Sequence, residues 1–533
     1  MTDPSFESAA TFALVVELVD FAALCRLDCA ASLVFYSSCP SSVGGELALG
    51  CDVLQGRQFE LECLAAAAPH LASMLLCLEG DPDALDIPTP RSYAEVITVD
   101  GMWIFRVKRP PGSLPVFKAC YIARGFSQRE GVDFFHTFSP TPKMTTLWVL
   151  LHVAAQRKYE PHSLDFSTAF LQGSLHEAIW LPRPRGFTGS FPEGTQWSLR
   201  RPVYGLRQAP REWHDILRTT LAALGFAPST PDPSLFLRTD TSLPPFYVLV
   251  YVDDLVFATA DTEALALVLQ RFEFTWSSPQ PTLLSIGHSL SAPPSDKSVE
   301  PSGPYPELVG CLMYLITCTR PDLAYPLSLL ACYMAPGRHR NMHWDAAKRV
   351  LHYLCITSSM GLVLGGPGTV FLTGHSDASW VDDQTTHRST EGYSFSLGTG
   401  YVSWRSTRSS SVLSSSCEAE IYAGAMAAQE LPWLTYLLTN LGEQPRSPLV
   451  LYVDNKTMIV LCQDQRLENI TKHIALRDFL TRELQQRGQL CLAYVATRAN
   501  TADVFTKALG SSDHQRFCTA LGLVPTLPHF LVS

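Results

Sequence analysis

Phe-Tyr-Val-Leu-Val-Tyr-Val-Asp-Asp-Leu-Val-Phe-Ala-Thr occupies residues 246–259. Two short β-rich runs, Phe246–Val252 and Leu255–Thr259, flank a pair of acids. The pattern predicts a hairpin with Asp253 and Asp254 at its turn. Adjacent carboxylates on an apolar hairpin repel each other and lose hydration. A divalent cation removes both costs, and Mg²⁺ favours carboxylate oxygen. An Asp-Asp turn between two core strands needs no ion, so this stretch alone leaves both readings open.

Upstream, His-Ser-Leu-Asp-Phe-Ser-Thr-Ala-Phe-Leu at 162–171 places Asp165 at the end of a short predicted strand. An isolated buried Asp is expensive, and Asp253 and Asp254 are its natural companions. Between them, Val-Tyr-Gly-Leu-Arg-Gln-Ala-Pro-Arg-Glu-Trp at 203–213 precedes a helical run, Trp213–Leu224. Its Gly, Pro and Arg residues suit a loop and helix start near phosphates. Before Asp165, Thr145–Gln156 carries apolar residues at helical spacing. Lys118 and Arg124 fall on one face of a predicted strand and could meet phosphates in one groove.

Composition points the same way. The 533 residues are 46% hydrophobic, enough for several buried cores. The net charge of −10 is unevenly spread. Residues 1–100 hold 15 acids and 3 bases, whereas residues 101–225 hold 16 bases and 8 acids. A basic middle beside an acidic N-terminal segment suits a polyanion partner. The 15 cysteines are scattered and form no zinc spacing, Cys25 and Cys29 included, so they read as reduced intracellular thiols. The N-terminus lacks the pattern of a signal peptide. Cys63–Leu78 is too short to span a bilayer, and no transmembrane helix is predicted.

Residues 1–90 give little beyond two short apolar helices, Phe12–Leu24 and Leu61–Leu78, and a Pro-rich linker, Asp81–Pro90. Residues 306–355 are helix-prone over Glu307–Cys318, Pro321–Met334 and Trp344–Leu354. Arg338, His339, Arg340, Lys348 and Arg349 give this region a basic side. Farther on, strands are predicted at Val370–His375, Ser403–Trp404, Val412–Ser415 and Leu449–Val453, with a helix over Glu418–Leu441. Acids stand at the ends of these elements.

Four blocks resemble the reverse transcriptase of copia-type LTR retrotransposons. They are Phe-Lys-Ala-Cys-Tyr-Ile-Ala-Arg-Gly-Phe-Ser-Gln (117–128), Leu-Asp-Phe-Ser-Thr-Ala-Phe (164–170), Tyr-Gly-Leu-Arg-Gln-Ala-Pro-Arg (204–211) and Tyr-Val-Asp-Asp (251–254). The resemblance implies that Asp165, Asp253 and Asp254 bind the polymerase's metals. It matches Phe170 to the aromatic residue that blocks a ribose 2′-hydroxyl, and Gln208 to a contact of the incoming nucleotide. Lys118 and Arg124 would lie in the fingers near the triphosphate. A second set is similar to the RNase H domain of the same polyprotein: Ser-Asp-Ala-Ser-Trp (376–380), Ser-Ser-Cys-Glu-Ala-Glu (415–420), Val-Asp-Asn (453–455), Lys-His-Ile (472–474) and Ala-Asp-Val-Phe-Thr-Lys (502–507). By resemblance, Asp377, Glu418, Asp454 and Asp503 are its four metal-holding carboxylates. Glu420 rivals Glu418, and His473 lies near the site.

The implied fold is α/β (α+β): right-hand polymerase fingers and palm, a helical connection, then an RNase H-like mixed sheet. The expected layout is an acidic linker at 1–90, fingers and palm at 91–275, and a thumb or connection at 276–365. An RNase H-like domain at 366–510 and a tail at 511–533 complete it. The implied function is RNA-directed DNA polymerase with ribonuclease H activity. Mg²⁺ would serve as cofactor, two ions per site, with Mn²⁺ as a substitute. RNA template, primer, RNA–DNA hybrid and deoxynucleoside triphosphates would be its partners, with no membrane. The location implied is cytoplasmic, in virus-like particles, or nuclear.

The chain also departs from the family. Primer-holding sequence after Tyr-Val-Asp-Asp is shortened, Cys120 stands where the family has Arg, and Pro432 falls inside the Glu418–Leu441 helix. Proline in a helix interior costs about 3 kcal/mol. No protease motif, zinc knuckle or integrase zinc set occurs, so the chain reads as a C-terminal Pol segment. Intact metal acids beside a shortened primer grip leave two further readings: an inactive nucleic-acid-binding remnant, or a hybrid-specific nuclease alone.

Overall fold

A computed structural model of the chain describes residues 14–16, 97–108, 116–166, 169–182, 196–260, 305–357, 360–365, 370–383, 385–463 and 479–525. The shortened stretch after the Asp-Asp pair, most of the N-terminal segment and His473 lie outside them. Of the predicted helix Phe12–Leu24, the structure describes Leu14–Val16 as a strand, β1. These Leu and Val residues pair antiparallel with Leu362–Leu364, a use that suits β-branched side chains.

Fingers strands come next. β2 (Ile97–Thr98) lies in a three-stranded sheet with β6 (Ile179–Pro182) and β7 (Gln196–Leu199), while β3 (Gly101–Lys108) and β4 (Val116–Ala123) form a ribbon. The palm is a five-stranded sheet, ordered β5 (Glu160–Asp165), β11 (Asp254–Thr259), β10 (Phe246–Tyr251), β9 (Leu235–Arg238), β8 (Phe226–Pro228). Every pairing in it is antiparallel.

Phe246–Val250 is continuously buried because both faces of the sheet are covered. Successive side chains point to opposite faces. Phe246, Val248 and Val250 join one core with Trp213, Leu217 and Leu221 of α2 (Ala209–Ala223). Tyr247 and Leu249 join another with Leu147, Leu150 and Leu151 of α1 (Met144–Arg157).

Helices α3 (Tyr305–Cys318), α4 (Ala324–Ala331) and α5 (Asn341–Ile356) form a small apolar cluster of their own. After them, β12 (Met360–Leu364) pairs with both β1 and the late strand β18 (Leu523–Pro525).

The last unit is a mixed sheet. Its order is β15 (Tyr401–Val412), β14 (Arg388–Leu397), β13 (Leu372–Asp383), β16 (Leu449–Val453), β17 (Leu490–Tyr494). The first three strands are antiparallel, and β13–β16 and β16–β17 are parallel. This is the RNase H-like mixed sheet that the resemblance implies. Helix α6 (Ser416–Asn440) covers it, with α7 (Lys456–Gln463), α8 (Phe479–Gln486) and α9 (Ser511–Ala520) completing the unit.

α6 runs unbroken through Pro432. Pro432 lies on the exposed side of the helix, and its ring leaves the Ala428 carbonyl without its helical donor. The next residue is anchored: Trp433 Nε1 donates to the Pro231 carbonyl at 3.0 Å, and Lys143 Nζ sits 3.7 Å from its ring centre. Thus α6 binds the palm as well as its own sheet. One continuous core joins α1, palm residues Leu235 and Leu249, β12, the mixed sheet, α6 and Leu523.

Candidate active sites

At the palm, Tyr251 pairs with Asp254, so β10 and β11 are joined by the two-residue turn Val252–Asp253. Asp253 is therefore in the turn and Asp254 opens β11. Val252 adopts φ 56°, uncommon for a β-branched residue. The Trp213 indole holds this turn by donating to the Val252 carbonyl at 2.6 Å. On the neighbouring strand, Asp165 is the cross-strand partner of Asp254, and the Phe166 amide donates to the Asp253 carbonyl at 2.8 Å. The backbone thus brings Asp165, Asp253 and Asp254 to one end of the sheet. The Tyr204 hydroxyl lies 3.5 Å from Asp253 Oδ2. The donor set is all carboxylate, which fits a hard cation.

The other polymerase residues are distributed around this end. Phe170 lies in a short 3₁₀ turn, is buried, and sits 4.5 Å from the Tyr204 ring, centre to centre. Gln208 caps α2 and is also buried. Its Oε1 accepts from Gln128 Nε2 at 3.1 Å, and its Nε2 lies 3.3 Å from Glu177 Oε2. Arg124 is exposed just after β4, and Lys118 lies within β4, opposite Arg106.

Gly205 fastens fingers to palm. Its φ is 95°, and a Cβ there would meet the Ala123 carbonyl oxygen at 2.0 Å. The Gly125 amide donates to the Gly205 carbonyl at 3.1 Å. Only glycine permits this approach.

The second site is built on β13. The register His375↔Tyr452, carried two residues on, sets Asp377 level with Asp454 just past β16. Asn500 brings the third acid in: its Nδ2 donates to the Ser376 carbonyl at 3.0 Å, and its side chain caps the 3₁₀ segment Thr501–Phe505 that carries Asp503. Gly392 of β14 lets that segment close on the sheet, since a Cβ would meet Phe505 Cβ at 2.7 Å. One carboxylate oxygen each of Asp377, Asp454 and Asp503 lies within 4.8 Å of the others.

Hydrogen bonds aim the three acids. Thr506 Oγ1 donates to Asp377 Oδ2, and Thr497 Oγ1 donates to Asp454 Oδ2 at 2.8 Å. Lys507 Nζ lies 2.9 Å from Asp377 Oδ1 and 3.0 Å from Asp503 Oδ1.

Glu418 and Glu420 have different surroundings. Glu418 Oε2 turns back to accept from the Ser414 amide at 2.7 Å and the Ser414 hydroxyl at 2.6 Å, while its own amide is capped by Ser415 Oγ. These bonds tie Glu418 to the start of α6, and the structure does not bring it to the acid cluster. Glu420 is 6% exposed and its Oε2 has no partner among the described residues. Burial raises its pKa, and the charges of Asp377 and Asp454 raise it further. Burial followed by the Asp377 charge also raises Asp503, against the pull of Lys507. Lys507 keeps its charge: burial alone would lower its pKa, but the charges of Asp377 and Asp503 more than offset that.

An orphaned buried carboxylate oxygen beside three converging acids fits a divalent cation with oxygen ligands. Lys507 was legible in principle, standing four residues beyond Asp503 in its own motif.

A different cluster, Asp322, His514 and Cys518, also brings ligand atoms together. There Arg320 Nε and Nη2 hold the two oxygens of Asp322 at 2.8 and 2.7 Å. The Tyr353 hydroxyl adds a bond at 2.9 Å, and burial raises the Cys518 thiol to about 12. A guanidinium-saturated acid beside a protonated thiol is a structural knot, poorly suited to a metal.

Among the described residues no helix is long and apolar enough to cross a membrane. The family model described as reverse transcriptase (RNA-dependent DNA polymerase) matches residues 91–276. The chain is 35% identical over 485 residues to the Retrovirus-related Pol polyprotein from transposon RE2 of Arabidopsis thaliana, covering 83% of this chain and 33% of that protein. With the corresponding polyprotein from transposon TNT 1-94 of Nicotiana tabacum it shares 30% over 458 residues, covering 76% and 34%. The solved structure of the foamy viral protease-reverse transcriptase dRH in complex with ds DNA is 12% identical over 74% of this chain and 67% of that chain, with a TM-score of 0.38. The fold assignment rests on strand order and register, independently of that likeness. The chain spans about a third of the length of the curated relatives it matches. By its motifs and these relatives, the chain is similar to the reverse transcriptase and RNase H-like portion of the copia-type retrotransposon Pol polyproteins.

Proposed function

We propose that the chain is an RNA-directed DNA polymerase whose mixed-sheet unit cleaves the RNA of an RNA–DNA hybrid. One observation carries the reading: a single chain sets acids together at two strand ends, Asp165 opposite Asp254 by backbone register, and Asp377, Asp454 and Asp503 within 4.8 Å of one another.

In the palm, Asp165, Asp253 and Asp254 would hold Mg²⁺, or Mn²⁺ in its place. In the mixed sheet, Asp377, Asp454, Asp503 and Glu420 would do so, with Glu418 confined to the helix cap. The chemistry supplied by bound divalent ions is activation of the attacking oxygen and neutralisation of charge on the phosphate. The chain's own residues position. Phe170, packed on Tyr204, supports shape selection at the sugar of the incoming deoxynucleotide. Gln208, held by Gln128 and Glu177 at the start of α2, would contact the incoming nucleotide. Exposed Arg124 suits phosphate. Template pairing supplies the sequence information, so the protein needs no base readout.

The test is primer extension on an RNA template with Mg²⁺, alongside cleavage of a labelled RNA–DNA hybrid. Asp254→Asn should abolish extension and spare cleavage; Asp454→Asn should do the reverse. Losing several kcal/mol of charge stabilisation corresponds to at least about 1,000-fold in rate. Wild-type cleavage without extension would leave a hybrid nuclease, and absence of both activities from folded protein would leave a nucleic-acid-binding remnant.

A further inference from the structure

Among the described residues, Lys507 is the basic side chain that bonds directly to the acids of the mixed-sheet site. Its ammonium bridges Oδ1 of Asp377, fully buried, and Oδ1 of Asp503, 5% exposed. With Thr506 on Asp377 Oδ2, both oxygens of Asp377 are engaged. Lysine presents a compact point charge with three donors, so it can neutralise two carboxylates from one position. Its side chain is 32% exposed, and its four-carbon stem gives it a way out towards solvent. By contrast, Glu420 Oε2 has no partner among the described residues.

We infer that Lys507 is a built-in counter-cation that competes with divalent metal for Asp377 Oδ1 and Asp503 Oδ1, and so sets the metal concentration at which the site assembles. The inference rests on the proposed metal-binding role of this site. Inner-sphere coordination places an ion about 2.1 Å from a carboxylate oxygen, and an ammonium hydrogen-bonded to the same two oxygens cannot keep its place beside it. Asp454 and Glu420 are outside the bridge and receive metal first. Asp377 and Asp503 join when Lys507 turns outward. Lys507 is thus a positioning residue: it holds two acids in place against their mutual repulsion and yields them in exchange for a stronger cation.

The experiment uses the full-length chain. Acylation of Lys507 by an N-hydroxysuccinimide acetate, read by mass spectrometry, should accelerate at least threefold when Mg²⁺ is raised from zero to saturation. The acceleration should vanish in Asp454→Asn. Mn²⁺ binding followed by paramagnetic resonance should tighten at least tenfold in Lys507→Met and stay near wild type in Lys507→Arg. Unchanged or slower acylation, with Mn²⁺ still bound in a manner lost in Asp454→Asn, overturns the inference alone. Mn²⁺ binding indifferent to Asp454→Asn overturns the metal reading and the inference with it. Should Lys507→Met fail to fold, the acylation measurement on wild-type protein decides.

Discussion

Arg157, on the last turn of α1, pairs with Glu443 just beyond α6, Nη2 to Oε1 at 2.7 Å. Its Nη1 donates to the Tyr247 hydroxyl at 2.7 Å, and that hydroxyl donates to the Leu441 carbonyl at 2.8 Å. A palm helix, a palm strand and the end of the helix that covers the mixed sheet meet in one network.

Arg157→Ala strands the carboxylate of Glu443 in a partly buried place. Losing hydrogen bonds to a charged group should cost about 2 kcal/mol. Tyr247→Phe should cost about 1 kcal/mol. Urea unfolding would show both, and the two units should lose structure in one transition. Two well-separated transitions in wild-type protein would contradict the shared network.

Glu418→Gln and Glu420→Gln should separate cleanly. The first weakens a helix cap, lowering stability by about 1 kcal/mol and leaving hybrid cleavage near wild type. The second removes a buried carboxylate whose charge Asp377 and Asp454 oppose. It should abolish cleavage while raising the melting temperature in chelator. Equal loss of cleavage in both variants would return Glu418 to the site.

Acid should destabilise the fold through two histidines. Burial lowers His152 and His375 from 6.5 to about 4. His152 Nδ1 accepts from the Gly365 amide at 3.1 Å, and His375 stacks on Tyr452 at 5.1 Å. Both are neutral when folded and titrate near 6.5 when unfolded. Their stabilisation is full above that value and lost as pH falls towards 4, by up to about 3 kcal/mol each. His152→Gln should reduce the proton uptake on unfolding between pH 6.5 and 4.5 by up to one proton. An unaltered pH dependence would show that His152 is accessible to protons in the native state.

Gly205→Ala should fail through the backbone. The added Cβ meets the Ala123 carbonyl oxygen, and φ 95° is closed to L side chains. The expected loss is about 3 kcal/mol or more, seen as a lower melting temperature and weaker binding of primer–template. A fully stable variant would show that the fingers can shift away from the palm without penalty.

The palm was legible because its chemistry is local. The two β-rich apolar runs around Asp253 and Asp254 announce the hairpin, and Leu449–Val453 is the strand that its apolar run predicts. β14 escaped notice: Arg-Ser-Thr-Glu-Gly-Tyr-Ser-Phe-Ser-Leu has few aliphatic residues, yet it is buried nearly throughout as an inner strand. Its small polar side chains are sheltered by neighbouring elements, which no local pattern announces. Glu418 and Glu420 stand two residues apart on one helix, about 200° around the axis, so only the packing of α6 on β13 tells them apart. Lys507 stands in plain view within Ala-Asp-Val-Phe-Thr-Lys, but its role depends on Asp377, 130 residues away.

Leu523, near the end of the described chain, belongs to the same core as Leu147 and Leu249, and β18 pairs with β12. The palm side therefore awaits residues synthesised long after its own helices and strands. A ribosome that stops at a premature codon anywhere upstream of Leu523 releases a product with the apolar flank of α1 and the edge of β12 uncovered. Such a product would be a target for chaperones and proteases rather than a smaller polymerase. A genomic copy of this chain that still yields folded protein must have kept its reading frame open to that leucine, whatever has become of its chemistry.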